Sequence, residues 1–275
     1  MLKQTEKRPV VLAIGGHDPI GGAGIQADIE AIGSNGCHAA TVVTCLTVQD
    51  TCNVRKLIPT PVEILLEQAR AVLSDCLVSA IKIGLLGNAE AAQAVADLIG
   101  DHPRIPVVFD PVLAAGGGSD LANDRLLQVI RSDLLPRCHL LTPNTHEAFR
   151  LSGQNQDFDP DRCAQTLLES GARAILLTGT HDTRDAHQVI HRLYRGGEPL
   201  WLSRWPRLEG EYHGSGCTLA SAIAAALGHG CSLTDATQHG LAFTWSSLEA
   251  GFPVGHCQKI PERYLKRSQP GHSQA

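Results

Sequence analysis

The stretch PVVLAIGGHDPIGGAGIQADIEAIGSNG (residues 9–36) runs from an unbroken apolar segment, through a glycine-rich turn, into an amphipathic segment. A strand that is apolar on both faces belongs inside a parallel sheet covered by helices. The same alternation continues to the end of the chain. ATVVTCLTV (40–48), VSAIKIGLL (78–86), PVVFDPVL (106–113), CHLLTP (138–143) and RAILLTG (173–179) read as further apolar strands. Amphipathic segments near 23–35, 61–75, 88–99, 120–134, 145–152 and 160–170 read as the helices between them. HQVIHRLYRGGEPLWLSRW reads as an edge hairpin turning at RGGE, followed by helices over about 216–229 and 233–250.

The totals agree with an α/β enzyme. The 275 residues are 43% hydrophobic and 19% charged, enough for one sizeable core. A net charge of −5, no basic stripe and 4% aromatics argue against nucleic acid as a partner. No apolar run approaches the roughly 18 residues of a membrane span, and MLKQTEKRPVVLAIGG lacks the pattern of a signal peptide. Nine cysteines without a CxxC pair fit free thiols in a reducing cytoplasm better than a zinc ribbon or a disulfide framework. The chain reads as one domain over 9–266. Residues 1–8 are expected to be extended or disordered, and 267–275 to form a flexible tail.

In open α/β sheets ligands sit beyond the carboxyl ends of the strands. Here those ends carry glycine, proline and polar residues: GGHDPIGGAG, TVQDT, IGLLGN, DP, TPNTHE and TGTH. GGHDPIGGAG lets a ligand approach the backbone, but it is neither a Walker A loop nor an in-register GxGxxG; Asp28 follows one helical turn later. Asp110 ends a buried strand, where a carboxylate is costly without a metal or phosphate role. Asn144 and Glu147 stand three apart at a helix start. They suit either Mg²⁺ held through water or a helix cap centred on Thr145. His187 and His191 show i, i+4 spacing and read as a surface pair. In HGSGCT (213–218), Gly214, Ser215 and Gly216 precede a helix and would present consecutive N–H groups to an anion. The potential of that helix start would lower the pKa of Cys217 and favour its thiolate.

With these motifs in place, the chain from about Val10 to Leu248 resembles the hydroxymethylpyrimidine and phosphomethylpyrimidine kinases of thiamine synthesis. The resemblance rests on GHDPIGGAGIQADIEAIGSNG, TVVTCLTVQDT, AIKIGLLG, DPV, LTPNTHEA and HGSGCTLASAIAAAL, in that order. It implies a ribokinase-like three-layer α/β fold, a mostly parallel central sheet with helices on both faces. It implies transfer from ATP to 4-amino-5-hydroxymethyl-2-methylpyrimidine and then to its monophosphate, with Mg²⁺ as cofactor and a homodimer as the assembly. Gly16, Asp28, Gln49 and Val112 match positions that hold the aminopyrimidine. Asp110, Asn144 and Glu147 match the Mg²⁺ and phosphate region. Gly214, Ser215 and Gly216 match the anion hole, and Cys217 matches the catalytic base. Two departures remove positive charge. Thr178 stands where a lysine is common, and the segment after DPV reads LAAGGGSD; Thr178 and His181 are what remain to hydrogen-bond phosphate. Three other readings stay open: a pyridoxine or pyridoxal kinase, a cysteine hydrolase using His213 with Cys217, and a nonenzymatic pyrimidine sensor.

Overall fold

The computed structural model describes residues 8–114, 118, 120–154, 159–180, 185–198 and 200–265. The N-terminal extension (beyond Arg8), the tail after 266, and His181 therefore lie outside the described residues, as do positions 115–117 and 119 of LAAGGGSD. Among the described residues nine strands form one sheet in the order β3-β2-β1-β4-β5-β6-β7-β8-β9. The parallel core comprises β1 (Val10–His17), β2 (His38–Gln49), β4 (Val78–Ile83), β5 (Val107–Phe109), β6 (Leu140–Leu141) and β7 (Ala174–Leu177). Antiparallel partners close both edges: β3 (Val54–Pro59) beside β2, and the hairpin β8 (Gln188–Arg195)–β9 (Trp201–Pro206) beside β7. β3 is absent from the sequence reading because an edge strand of composition VRKLIP, mostly open to solvent, carries no apolar run.

Side-chain alternation divides the strands between two cores. Leu12, Ile14, Ile81, Ile83 and Phe109 face one layer, made of α2 (Val62–Asp75), α3 (Ala89–Gly100), α4 (Asp124–Val129), α5 (Thr145–Ser152) and α6 (Pro160–Glu169). Val11, Ala13, Ala80, Val108 and Leu176 face the other, where α7 (Ser215–Gly228) and α8 (Leu233–Glu249) pack, with Ile32 of α1 (Gly24–Ser34). The segment expected as one helix over 120–134 is α4 followed by a π turn over Ile130–Leu134. α7 is buried along almost its whole length, which explains its alanines: small side chains let sheet and α8 approach from both sides. A Cβ on Gly240 of α8 would lie 2.4 Å from Ile223 Cγ1, so even one methyl is excluded there.

The topological switch falls between β1 and β4, since β1 leads outward to β2 and the chain then returns to β4 on its other side. A crevice opens beyond the carboxyl ends of neighbouring strands at such a point. The glycine-rich loop after β1 and the end of β4, with Gly84 and Leu85 just beyond it, therefore meet there by topology alone.

One expectation is overturned. Cys52, just after β2, and Cys257, in the segment after α8, form a disulfide with a Cα–Cα distance of 5.1 Å. The remaining seven cysteines are free. The odd total concealed the pair, whose partners lie 205 residues apart. Because the bridge closes so long a loop, it restricts the unfolded chain and stabilises the fold by roughly 2–4 kcal/mol. Thiol titration of the protein unfolded without reductant should find seven reactive groups and, after reduction, nine; nine in both states would remove the bridge.

Candidate active site

A cleft of about 1200 Å³ runs along the carboxyl ends of the parallel strands. At its β1 end, Asp18 organises the glycine-rich loop by accepting from the backbone N–H of Ile20 (2.9 Å) and Ala23 (2.8 Å). Its other partner is His213 Nε2 at 2.9 Å. Burial tends to raise the Asp18 pKa, but His213 and the two N–H groups outweigh it and hold the carboxyl below its ordinary value. The same His213 nitrogen lies 3.1 Å from Gln49 Nε2, at the end of β2. One ring nitrogen has one proton or one lone pair, and the carboxylate is the stronger acceptor. Gln49 thus keeps amide capacity for a ligand in the cleft it lines. His213 Nε2 is engaged by Asp18 rather than by Cys217, which corrects the hydrolase dyad considered from the sequence.

The loop and the start of α7 are pressed together. Gly214 caps α7 with φ of +84° and no side-chain cap, and a Cβ there would lie 1.9 Å from Gly22 O. No other residue fits. Arg263, fully buried beyond α8, ties the two segments: it donates to Gly21 O and Gly22 O, to Thr218 Oγ1 at 2.9 Å and to Glu30 of α1 at 3.0 Å. Gly214, Ser215 and Gly216, the residues expected to receive an anion, line the cleft together with Cys217 at the start of α7.

Beneath that turn lies the central cluster. Lys82 of β4 is fully buried, with Nζ 2.7 Å from Asp28 Oδ1 of α1. Ser221 of α7 donates to the same oxygen at 2.7 Å. The Lys82 ammonium also feels Cys217 and Asp110; burial opposes its charge, yet these three neighbours raise its pKa. Gly84 is required beside it, since a Cβ there would lie 2.8 Å from Nζ. Asp110 continues the parity of Val108 beyond β5 and so points under α7, where a Cβ on Gly216 would lie 3.3 Å from its Oδ2. Burial pushes the Asp110 carboxyl up to about 6, Asp28 adds to the rise, and Lys82 and a hydrogen bond with Cys217 oppose it. For Cys217 the sequence expectation is reversed. Burial pushes its thiol up to about 12, with Asp110 and Asp28 adding to the rise; Lys82 and the Gly24 N–H only partly offset it. The cysteine rests as a thiol.

Asn144 and Glu147 form a reciprocal capping box at the start of α5, each side chain accepting the other's backbone N–H at 2.9 Å. The cap is therefore Asn144 and not Thr145. Burial, then the nearby charge of Asp110, pushes the Glu147 carboxyl up to about 8. A Glu147 carboxyl raised by the charge of Asp110 and a buried Asp110 Oδ2 without a hydrogen-bond partner suit a divalent cation. Among the described residues no cluster of three or more His, Cys, Asp or Glu side chains could enclose an ion, so a cation here would keep much of its water.

The other expected residues are distributed unevenly. Val112 and Thr178 line the cleft, but Gly16 and Asp28 stand behind its wall. Gly16 packs so closely that a Cβ would lie 2.9 Å from Cys45 Sγ. His187 is exposed, while His191 is on β8 rather than a helix and lines the cleft, which corrects the surface pair. Trp205 and Trp245, with ring centroids 5.9 Å apart, and Leu241 and Thr244 of α8 close the far end. Lys82, Asp18 and Arg263 were missed. The signal for Lys82 was present: a lone charge inside an apolar strand needs a buried partner.

A family model described as phosphomethylpyrimidine kinase matches residues 18–261. The chain is 38% identical to the hydroxymethylpyrimidine/phosphomethylpyrimidine kinase of Streptomyces coelicolor, across 90% of this chain and 91% of that one. It is 33% identical to the enzyme of the same name from Bacillus subtilis, across 89% and 90%. Among solved structures, the pyridoxal kinase from Staphylococcus aureus in complex with AMP-PCP and pyridoxal superposes with a TM-score of 0.83 at 25% identity, covering 94% of each chain. A phosphomethylpyrimidine kinase from Clostridium difficile gives 0.75 at 26%, covering 86% of this chain and 98% of that one. The sheet order, the glycine-backed helix start and these relatives agree: the chain belongs to the phosphomethylpyrimidine kinase family.

Proposed function

We propose how this chain carries out phosphoryl transfer from ATP to the hydroxymethyl group of 4-amino-5-hydroxymethyl-2-methylpyrimidine, and then to the monophosphate so formed. The observation that carries the reading is the meeting of Cys217, Asp110 and Lys82 under the first turn of α7. Gln49 offers both amide donor and acceptor to the ring nitrogen and exocyclic amine of the pyrimidine, and Val112 packs against the ring. Gly16 and Asp28 act from behind the wall, the first by close packing and the second by fixing Lys82. Ser215, Gly216 and Cys217 offer N–H groups to the transferring phosphoryl, supported by the dipole of α7. Phosphoryl transfer asks for positioning and positive potential more than covalent chemistry, and Lys82 supplies potential that the phosphate rim lacks at Thr178.

Proton movement follows from the resting thiol. As the hydroxymethyl oxygen attacks phosphorus, its proton passes to the Cys217 sulfur and the thiol proton passes to Asp110. Asp110, at about 6, is ionised at neutral pH and ready to accept. Asp110 and Glu147, with Asn144 adjacent, would hold Mg²⁺, which supplies charge neutralisation for the polyphosphate when bound. S. aureus pyridoxal kinase binds AMP-PCP, which supports ATP as the donor here. A homodimer completes the reading: Leu46, Val48 and Ile58 leave an exposed apolar stripe on the β2–β3 hairpin. Among the described residues no helix is long and apolar enough to cross a membrane.

A second reading, pyridoxal kinase activity, is favoured by the pyridoxal kinases that superpose at TM-scores up to 0.84. One assay separates the two. The protein is given ATP, Mg²⁺ and both the hydroxymethylpyrimidine and pyridoxal, and mono- and diphosphate products are resolved over time. Pyrimidine monophosphate followed by diphosphate is expected; phosphorylated pyridoxal alone would overturn the assignment of the ring pocket. In the same assay Cys217→Ala should lower kcat by about 10²–10⁴ with pyrimidine affinity kept, and near-normal turnover would send the proton elsewhere. The kcat of the unmodified enzyme should fall as pH drops below about 6, because protonation of Asp110 removes the final acceptor and bound Mg²⁺ holds its pKa under the metal-free value. A flat profile between pH 5 and 7 would exclude Asp110 from the relay.

A further inference from the structure

β7 and β8 run antiparallel with Leu176 opposite Leu193 and Leu177 opposite Arg192. Extending that register by one rung beyond the paired residues would set Thr178 opposite His191. β8 still follows the extension of β7 at this point, because a Cβ on Gly179 would lie 2.1 Å from Ile190 O. Parity then fixes the direction of both side chains. Leu176 and Leu193 belong to the core under α7 and α8, together with Leu219 in the second turn of α7. Thr178 and His191, one rung nearer the rim, share their face and look toward the first turn of α7. On β9, Ser203 stands opposite His191 and Trp205 opposite Val189, so the ring is framed by the hairpin on its outer side. Both Thr178 and His191 line the cleft.

The His191 ring is left incomplete by the protein. Its Nδ1 is buried and has no hydrogen-bond partner, while the Thr178 hydroxyl already donates to Pro143 O at 3.3 Å. With Nδ1 enclosed, Nε2 is the ring nitrogen that can meet a ligand in the cleft. Burial, with the Arg192 charge second, pushes its pKa down to about 4, so the ring is neutral at pH 7 and carries one N–H. The charged group nearest in sequence on its own strand is Arg192, whose side chain points to the opposite face by parity.

We infer that His191 is a nucleotide-binding residue of this kinase, donating a ring N–H to the polyphosphate that the first turn of α7 receives. The inference rests on the kinase reading above and adds a contact that the sequence placed on the surface. In this arrangement Thr178, His191 and the α7 N–H groups form three sides of one anion seat. The ring is also the seat's link to the hairpin, so nucleotide binding would steady β8 and β9 against α7.

Titration calorimetry on the whole protein tests the assignment with ATP, inorganic tripolyphosphate and adenosine as separate ligands. His191→Leu removes the donor, and His191→Gln keeps one at similar reach. The leucine variant is expected to bind ATP and tripolyphosphate about 10- to 100-fold more weakly, the usual range for a lost hydrogen bond to a charged group, with adenosine and pyrimidine affinities unchanged. The glutamine variant should recover much of the loss, which a purely structural role would not produce. Equal weakening toward adenosine would move the residue to the base, and unchanged tripolyphosphate affinity in a folded leucine variant would make the ring mere packing; either result overturns the proposal. Failure of the unmodified protein to bind ATP or tripolyphosphate would overturn the kinase reading itself, a result visible before any variant is made.

Discussion

The architecture of the site depends on one buried cation. Lys82 has no solvent and therefore no freedom to be charged without partners. Its ammonium is held 2.7 Å from Asp28 and within electrostatic reach of Asp110 and Cys217. Removing a charge from water costs several kcal/mol, and only a close, well-bonded counterion offsets it. That requirement fixes α1, which brings Asp28, against β4, and fixes α7, whose Ser221 completes the same carboxylate oxygen. It also demands glycine at position 84. Three elements far apart in sequence are thereby held at one point, and the point lies where the strand order of the sheet reverses.

The consequence for chemistry is an inversion of the usual account of a cysteine at a helix start. A helix dipole acting on an exposed thiol lowers its pKa, but here the thiol is buried beside two carboxylates, and burial dominates. A thiol that keeps its proton is a poor isolated base and a good relay, provided that an acceptor stands behind it. In the proposed relay that acceptor is Asp110, ionised at neutral pH yet raised by burial to about 6. Lys82 keeps this pair workable by offsetting negative charge that would otherwise accumulate under the transferring phosphoryl. Arg263 contributes from farther away, holding the glycine-rich loop and α7 in contact so that the N–H groups and the relay share one opening.

How much of this was legible in the sequence can be traced residue by residue. The parallel sheet was readable because its strands are apolar on both faces, and the rim was readable because glycine, proline and polar residues cluster at their carboxyl ends. Asp110 and Cys217 were singled out that way, Gln49 and Val112 by the family resemblance, and all four line one cleft. Asp28 and Gly16 were named too, but sequence cannot tell the surface of a wall from the layer behind it. Lys82 was passed over as one letter in an apolar strand, since its meaning depends on a carboxylate more than 50 positions away. β3 was missed because exposed edge strands lack an apolar run, and the Cys52–Cys257 bridge because long-range pairing leaves no local trace. His191 was misplaced by a spacing that imitates a helix; only the register of β7 with β8 gives its direction.

The most direct test is turnover after both members of the buried pair are neutralised together, Lys82→Met with Asp28→Asn. Replacing one partner alone would strand a buried charge at a cost of about 3–5 kcal/mol and confuse folding with catalysis, whereas removing both spares the fold. The account predicts a cooperatively melting protein that still binds the pyrimidine, with kcat reduced by about 10²–10³, the scale of losing one preorganised electrostatic group. A folded double variant that turns over at close to the original rate would contradict it.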